Sequence, residues 1–414
     1  MTGLKRTLWG GLSLLSMGSL LWAQPQAGPK ALFPINQQGK FGYIDQQGRV
    51  VIEPNYDWAF DLSEGLALVN ISGVKNEYGF VVGGKWGYLS SDGEMAVTPQ
   101  YDDAKNFSEG LALVNVGGKT IETGMISGGK RGFIDKAGKT VIEPVYEDAR
   151  SFSEGLALVR QNDRYGFIDQ SGKVVVPFQY QDAMSFSGGR ALVKLGDRWG
   201  FIDKNGEAVI PPVYHGARSF VNGFAIVQTE GKFGFIDSLG RVVVAQHYDD
   251  AGNFYQGLAA VKLNGRWGYV DTAGQRVIAP KFAAASGFSE GLACIRIGGK
   301  RGYINRTGRM AVPPSFDGAM DFSEGLALVN LGGKMNENGI IQGGKWGYIN
   351  KAGQTVIKPR FDFAWDFKHG LAMVNMGGKM NSYGNTEGGT WGYIDRMGKY
   401  VWKSSQLSDS EKSQ

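Results

Sequence analysis

Residues 192–211 read Leu192-Val-Lys-Leu-Gly-Asp-Arg-Trp-Gly-Phe-Ile-Asp-Lys-Asn-Gly-Glu-Ala-Val-Ile-Pro211. Three short apolar runs are separated here by two turn signals, which predicts a three-stranded antiparallel meander. The first strand is of the LALV type, as at Leu66 to Val69 and Leu111 to Val114. The second is of the WGFI type, and the third is a VVI type that ends at or near a proline. Asp203-Lys204-Asn205-Gly206 between the second and third strands has the spacing of a turn. In such a turn the aspartate accepts backbone N–H groups and the glycine takes a positive φ.

The stretch recurs through the whole chain. The glycine of its Trp-Gly pair has counterparts at 42, 87, 132, 166, 200, 234, 268, 302, 347 and 392, a period of 34 residues that lengthens to 45 at four places. A tandem repeat decides architecture before any single motif does. It also argues against catalysis, because a reactive site needs unique groups. Of the 64 glycines, 29 fall at three fixed offsets in the repeat, so they mark backbone geometry and not low complexity. Between units runs a crossing segment such as Pro144 to Gly155, with aromatics at two fixed places, Tyr146 and Phe152. Two large rings at fixed positions imply a segment packed down at the junction of neighbouring units.

In Lys85-Trp86-Gly87-Tyr88-Leu89 alternate residues face opposite sides, and both sides are partly apolar. Such a sheet needs cover on both faces, which stacking one meander on the next supplies. The fold class is therefore all-β: a tandem array of ten three-stranded antiparallel meanders. Ten units are many for one ring and three strands are few for a blade, which favours an open superhelix, with a closed β-propeller-like ring as the alternative.

The N-terminus carries Lys5 and Arg6, an apolar run from Leu8 to Leu21 and a small residue at Ala23. This reads as a signal peptide over 1–23, followed by a leader at 24–30, the array at 31–403 and a polar, disordered tail at 404–414. The expected location is outside the cytoplasm: periplasmic, cell-surface or secreted. No stable membrane span is expected after cleavage. Cys294 is the only cysteine, so no internal disulfide can form. Removing 1–23 takes two of the 44 basic groups and none of the 39 acidic ones, so the formal charge falls from +5 to +3. Such a balance gives no support to a nucleic-acid partner.

The phrases Gly-Lys-Trp-Gly-Tyr-Ile-Asn at 344–350 and Phe-Ser-Glu-Gly-Leu-Ala at 107–112 resemble the bacterial WG (or KWG) repeat. The resemblance runs from about Ala31 to Trp402. It implies a β-rich repeat protein, commonly at the cell envelope, that mediates interactions; it supplies no reaction and no cofactor. Arg131 and Arg301 replace the aromatic of the motif, and Thr390 replaces its basic residue.

Three sets of residues compete as a working surface. One is an aromatic column with adjoining basic residues: Lys85 and Trp86, Arg198 and Trp199, Arg266 and Trp267, Lys345 and Trp346, and Trp391, joined by Phe41, Tyr165 and Phe233. It reads either as a stacking ladder for carbohydrate or peptidoglycan, or as rings that pack on the next sheet while the basic side chains reach water. The second is the set of extensions at 71–83, 116–128, 331–343 and 376–388, read as protruding, flexibly based hairpins that bind a protein partner or cap the array ends. In a closed ring they would gather around unit one. The third is the glutamate of the Ser-Glu-Gly turn at Glu64, Glu109, Glu154, Glu290 and Glu324, read as a turn cap. A hydrolase would need a second acid beside one of these in a single cleft. His215, His247 and His369 fall at different places in the repeat, so no metal site and no cofactor is expected. The predicted function is that of an exported, non-enzymatic interaction scaffold.

Overall fold

The computed structural model describes residues 31–76, 79–337, 339–380 and 386–404. The expected signal peptide and leader, and the tail beyond Ser404, lie outside these. The chain forms small antiparallel sheets arranged as the blades of a ten-bladed β-propeller. Nine blades carry one strand more than the sequence suggests. In blade four the order is a short strand Asp148–Ala149, a first strand Leu156–Gln161, a second strand Arg164–Asp169 and a third strand Val174–Tyr180. The short strand comes from the crossing segment, where Asp148 pairs with Arg160 and Ala149 with Val159. Among the described residues blade one has three strands, Phe33–Gln37, Lys40–Ile44 and Val50–Tyr56.

The third strand does not stop at its proline. In blade five it runs from Ala208 to Tyr214, through Pro211 and Pro212. Its register against the second strand slips there: Phe201 pairs with Ile210, whereas Trp199 pairs with Tyr214. The extra residues form a bulge, the place in a sheet where a proline costs no ladder hydrogen bond. The bulged backbone folds across the motif glycine, and a Cβ on Gly200 would sit 2.5 Å from the Ile210 carbonyl oxygen. No other residue fits beneath that strand. The turn between second and third strands is as expected: Asp203 Oδ1 accepts from the N–H groups of Asn205 and Glu207, and Gly206 has a φ of 85°.

Blades join through three repeated contacts. The ring two places after the motif residue meets the crossing-segment phenylalanine of the next blade edge-on. Phe133–Phe152 and Phe201–Phe220 have centroids 4.8 and 4.9 Å apart. Each such pair contributes about 0.5–1.5 kcal/mol beyond its buried area. Where that ring is a tyrosine, its hydroxyl donates onward, as from Tyr88 to the Lys105 carbonyl at 2.7 Å. The Ser-Glu-Gly turns form a belt from blade to blade. Ser108 Oγ donates to the Phe152 carbonyl at 2.8 Å, and Glu109 Oε2 accepts from Gly155 N–H at 2.8 Å. The glutamate thus caps its neighbour's turn and not its own.

The expected preference for an open superhelix gives way to the closed ring. Nine junctions would suffice for an open row of ten, but ten separate hydrophobic clusters are present. The tenth packs Phe33, Ile35 and Ile44 of blade one against Leu371, Tyr393 and Trp402 of blade ten. Tyr393 donates to the Pro34 carbonyl at 2.9 Å, and Gln46 Nε2 to the His369 carbonyl at 2.8 Å. One of the two grounds against a ring was the three-stranded blade, and the fourth strand removes that one.

Two outcomes follow from this packing. Replacing Trp402, which is 9% exposed at the seam, by alanine should destabilise the fold by about 3–5 kcal/mol in urea unfolding. The Cys294 thiol is buried, and burial pushes its pKa up to about 11. A maleimide at neutral pH should label it only after denaturation, and rapid labelling of the native protein would contradict the packed junction.

Candidate functional site

The aromatic column places a ring on the second strand of every blade except three and eight, where Arg131 and Arg301 stand, and most of these rings belong to the junction cores. Trp86, Trp199 and Trp267 are half-buried against their junction clusters. Trp346 is 6% exposed and part of the core itself. Tyr165, Phe233 and Phe41 pack in the same way. Trp391 differs, since its neighbours are the rings of Phe363 and Trp365 at 6.2 and 6.4 Å.

The basic residue of the motif has a partner that sequence reasoning missed. Lys85 Nζ lies 2.6 Å from Asp102, Lys232 2.7 Å from Asp249 and Lys300 2.6 Å from Asp317; Lys345 pairs with Asp362 in the same way. Each aspartate follows the crossing-segment aromatic, and its other oxygen holds the hairpin between first and second strands. Asp102 Oδ2 accepts from Gly117 N–H and Asp317 Oδ2 from Gly332 N–H. The Lys300 hydrogen bond holds the Asp317 carboxyl below the usual carboxylate range. The lysines are about half exposed, so each pair contributes about 0–1 kcal/mol. Arg198 reaches the Val213 carbonyl at 3.5 Å, and Arg266 is exposed.

In blades two, three and nine the extensions continue the first and second strands, and in blade ten a separate strand pair, Lys379–Met380 with Thr386–Glu387, carries the extension. In blades two and nine these strands lengthen to ten residues each, Leu66–Lys75 with Val81–Ser90 and Leu326–Met335 with Ile341–Asn350. Their bases carry side-chain hydrogen bonds. A buried asparagine bolts each one: Asn70, Asn115, Asn330 and Asn375 are 0–2% exposed and donate to the carbonyls of Gly83, Gly128, Gly343 and Gly388 at 3.1–3.3 Å. Asn330 and Asn375 also accept from the N–H groups of Gly333 and Gly378. The glycine pairs at each base take positive φ, 71° and 69° at Gly83 and Gly84. The signal was present in the sequence: blades four to eight have Arg160, Lys194, Gln228, Lys262 and Arg296 at that place.

Because the ring closes, the hairpins of blades nine, ten, two and three flank blade one on a single arc. Those of blades two and three touch each other, with Asn76 Nδ2 donating to the Glu122 carbonyl and Phe80 lying over Gly124.

Among the described residues the acids do not assemble a hydrolytic pair. Burial, and then the charge of Asp321, raises the Asp366 carboxyl above its ordinary value. Asp366 lines a cavity between blades nine and ten, but Asp321 does not line it and instead accepts from Ser286 Oγ at 2.6 Å. Among the described residues no group of His, Cys, Asp and Glu is placed to hold a metal ion. His215 accepts from Glu230 N–H in its own hairpin and His247 stacks on Tyr248.

No curated protein matches this chain. Among solved structures, a eukaryotic initiation factor is similar at 9% identity and a TM-score of 0.49, over 91% of this chain and 96% of that one. Apo AztD from Citrobacter koseri is similar at 10% identity and a TM-score of 0.31, over 91% and 94%. PorZ, a surface component of the type-IX secretion system of Porphyromonas gingivalis, is similar at 11% and 0.26, over 92% and 52%. At such TM-scores these likenesses say nothing about function. The family comparison is specific. The model of the WG containing repeat matches residues 41–74, 86–119, 132–165, 165–199, 199–233, 233–267, 267–300, 302–334 and 346–379. Each match starts in a second strand and runs through the third strand and the crossing segment to at least the first strand of the next blade, and the chain belongs to the WG containing repeat family.

Proposed function

We propose that this propeller is an exported, non-enzymatic scaffold that holds a protein partner on the arc of long hairpins around blade one. The observation that carries this reading is the asparagine bolt. A loop that only filled space would not need a buried polar side chain at its base, whereas a binding surface gains from being rigid before its partner arrives. The hairpins also present apolar side chains to solvent, among them Val74, Phe80, Met125 and Ile340 at 68, 47, 62 and 42% exposure. Grouped exposed side chains of this kind suit a protein interface.

Export rests on the N-terminal pattern of Lys5, Arg6 and the apolar run to Leu21. Among the described residues no helix is long and apolar enough to cross a membrane. Periplasmic, surface-attached and secreted forms all agree with this reading. The absence of catalysis rests on the repetition of the polar groups, which are engaged in turns, belts and hairpin clamps.

The decisive experiment removes one hairpin without disturbing its blade. Deleting 332–342 joins Leu331 to Gly343-Gly344-Lys345 and recreates the tight hairpin that blade eight makes with Ile297-Gly298-Gly299-Lys300. The thermal midpoint should stay within a few degrees. Recovery of protein partners from an envelope extract should fall to background, and undiminished recovery of the same partners would remove the hairpin from the interface.

A further inference from the structure

Two residues follow the pair Asp148-Ala149 and its counterparts in every crossing segment, and they differ between blades. Blades three, four and six have Lys105-Asn106, Arg150-Ser151 and Arg218-Ser219. Blades two, nine and ten instead have an apolar residue before an aspartate: Phe60-Asp61, Met320-Asp321 and Trp365-Asp366. Two of these carboxylates are engaged. Asp61 pairs with Lys368, and Asp321 accepts from Ser286 Oγ at 2.6 Å. Among the described residues Asp366 has no hydrogen bond and no ion pair, and the charge that acts on it is the like one of Asp321.

Asp366 borders the cavity of about 560 Å³ between blades nine and ten, whose walls are mostly apolar: Met320 and Leu328 of blade nine, Phe363 and Trp365 of blade ten. Trp365 is 43% and Met320 45% exposed, so neither is spent on the core. The rings of Phe363 and Trp365 stand 4.2 Å apart at 62°, two adjoining π-faces set at an angle. The other polar groups at this place are in use. The carbonyls of Met320, Trp365 and Phe367 accept the hydroxyls of Tyr303, Tyr348 and Ser323 at 2.6, 2.6 and 2.9 Å, and Lys368 is held by Asp61. A carboxylate among apolar side chains and beside a second carboxylate is poorly stabilised as an anion, and a cation brought alongside relieves both effects.

We propose that this cavity binds a quaternary ammonium ion. Its charge is matched by Asp366, and its methyl groups lie on the faces of Phe363 and Trp365, which attract a cation within ~6 Å. A primary ammonium brings N–H donors that need acceptors of their own, whereas the carbonyls here already accept hydroxyls. An anion would meet Asp366 and Asp321, and a neutral ligand would leave both charges as they are. The corresponding cavity between blades two and three has the rings of Trp58, Phe60 and Trp86 but not the unmatched charge. There Asn106 stands for Asp366, Asp103 is paired with Lys105, and Lys75 already lies 5.9 Å over Trp58. The cavity between blades nine and ten takes no lining residue from the long hairpins, so this site is independent of the protein interface proposed above.

The test titrates the full-length protein with choline, with ethanolamine and with 3,3-dimethylbutanol, the neutral analogue of choline. Ionic strength is held constant, and binding is followed by tryptophan fluorescence and calorimetry. Choline should bind saturably with a Kd below ~10 mM, and about tenfold or more tightly than either analogue. Asp366→Asn, an isosteric change, should weaken choline about tenfold or more with an unchanged thermal midpoint, and Trp365→Leu should weaken it as well. No saturable choline binding up to ~20 mM would overturn the proposal. So would equal affinity for either analogue, or an Asp366→Asn variant that keeps its affinity for choline. The comparison of analogues uses the wild type alone and decides the matter even if a variant folds poorly.

Discussion

One steric constraint governs each blade: the third strand lies so close over the second that only a glycine fits between them. At Gly42, Gly132 and Gly347 a Cβ would come within 2.3–2.5 Å of a carbonyl oxygen. That approach requires the bulge, and the bulge requires residues that give up a ladder hydrogen bond, as Pro54, Pro144 and Pro359 do. The bulge then swings the chain off the blade and delivers its aromatic, Tyr56, Tyr146 or Phe361, opposite the residue before the motif glycine, Phe41, Arg131 or Trp346. The next residue clamps the hairpin, and the two after that form the short strand of the following blade. Glycine, proline, aromatic and aspartate are successive consequences of one close approach.

Closure of the ring follows from the same geometry and is not added to it. Every turn glycine leans on the third strand of the blade before it: Gly138 on Val97, Gly172 on Ile142 and Gly206 on Val176. Gly48 stands against Val401 in the same relation, although the two lie at opposite ends of the chain. The seam therefore reproduces the ordinary joint wherever it has the residues to do so, and improvises where it does not. Phe33 replaces the missing crossing-segment phenylalanine against Tyr393, at 5.5 Å.

Much of this was legible in the sequence. The period, the three principal strands, the Asp203 to Gly206 turn and the aromatics at the junctions each depend on local chemistry repeated ten times. The short strand was not legible, because two residues such as Asp148 and Ala149 have little strand propensity and pair only once the neighbouring blade is in place. Closure was not legible either, because it depends on contacts between residues more than 300 apart, such as Lys368 with Asp61. The asparagines were visible as letters, but their role emerges only when Gly83 and its equivalents are brought beside them. Trp58 and Trp365 were overlooked for a related reason: in a crossing segment they read as linker, and their singularity appears only when the blades are laid in register.

The belt of Ser-Glu-Gly turns runs in one direction, each serine and glutamate reaching forward to the next blade. Beside blade one, Lys368 of blade ten pairs with Asp61 of blade two through their side-chain charges. A ring with nearly uniform joints and one irregular joint has a defined weak link. Under load it would part there, between the first and last blades, as a clasp opens on a bracelet, so the chain ends are released before any blade is torn from its neighbour.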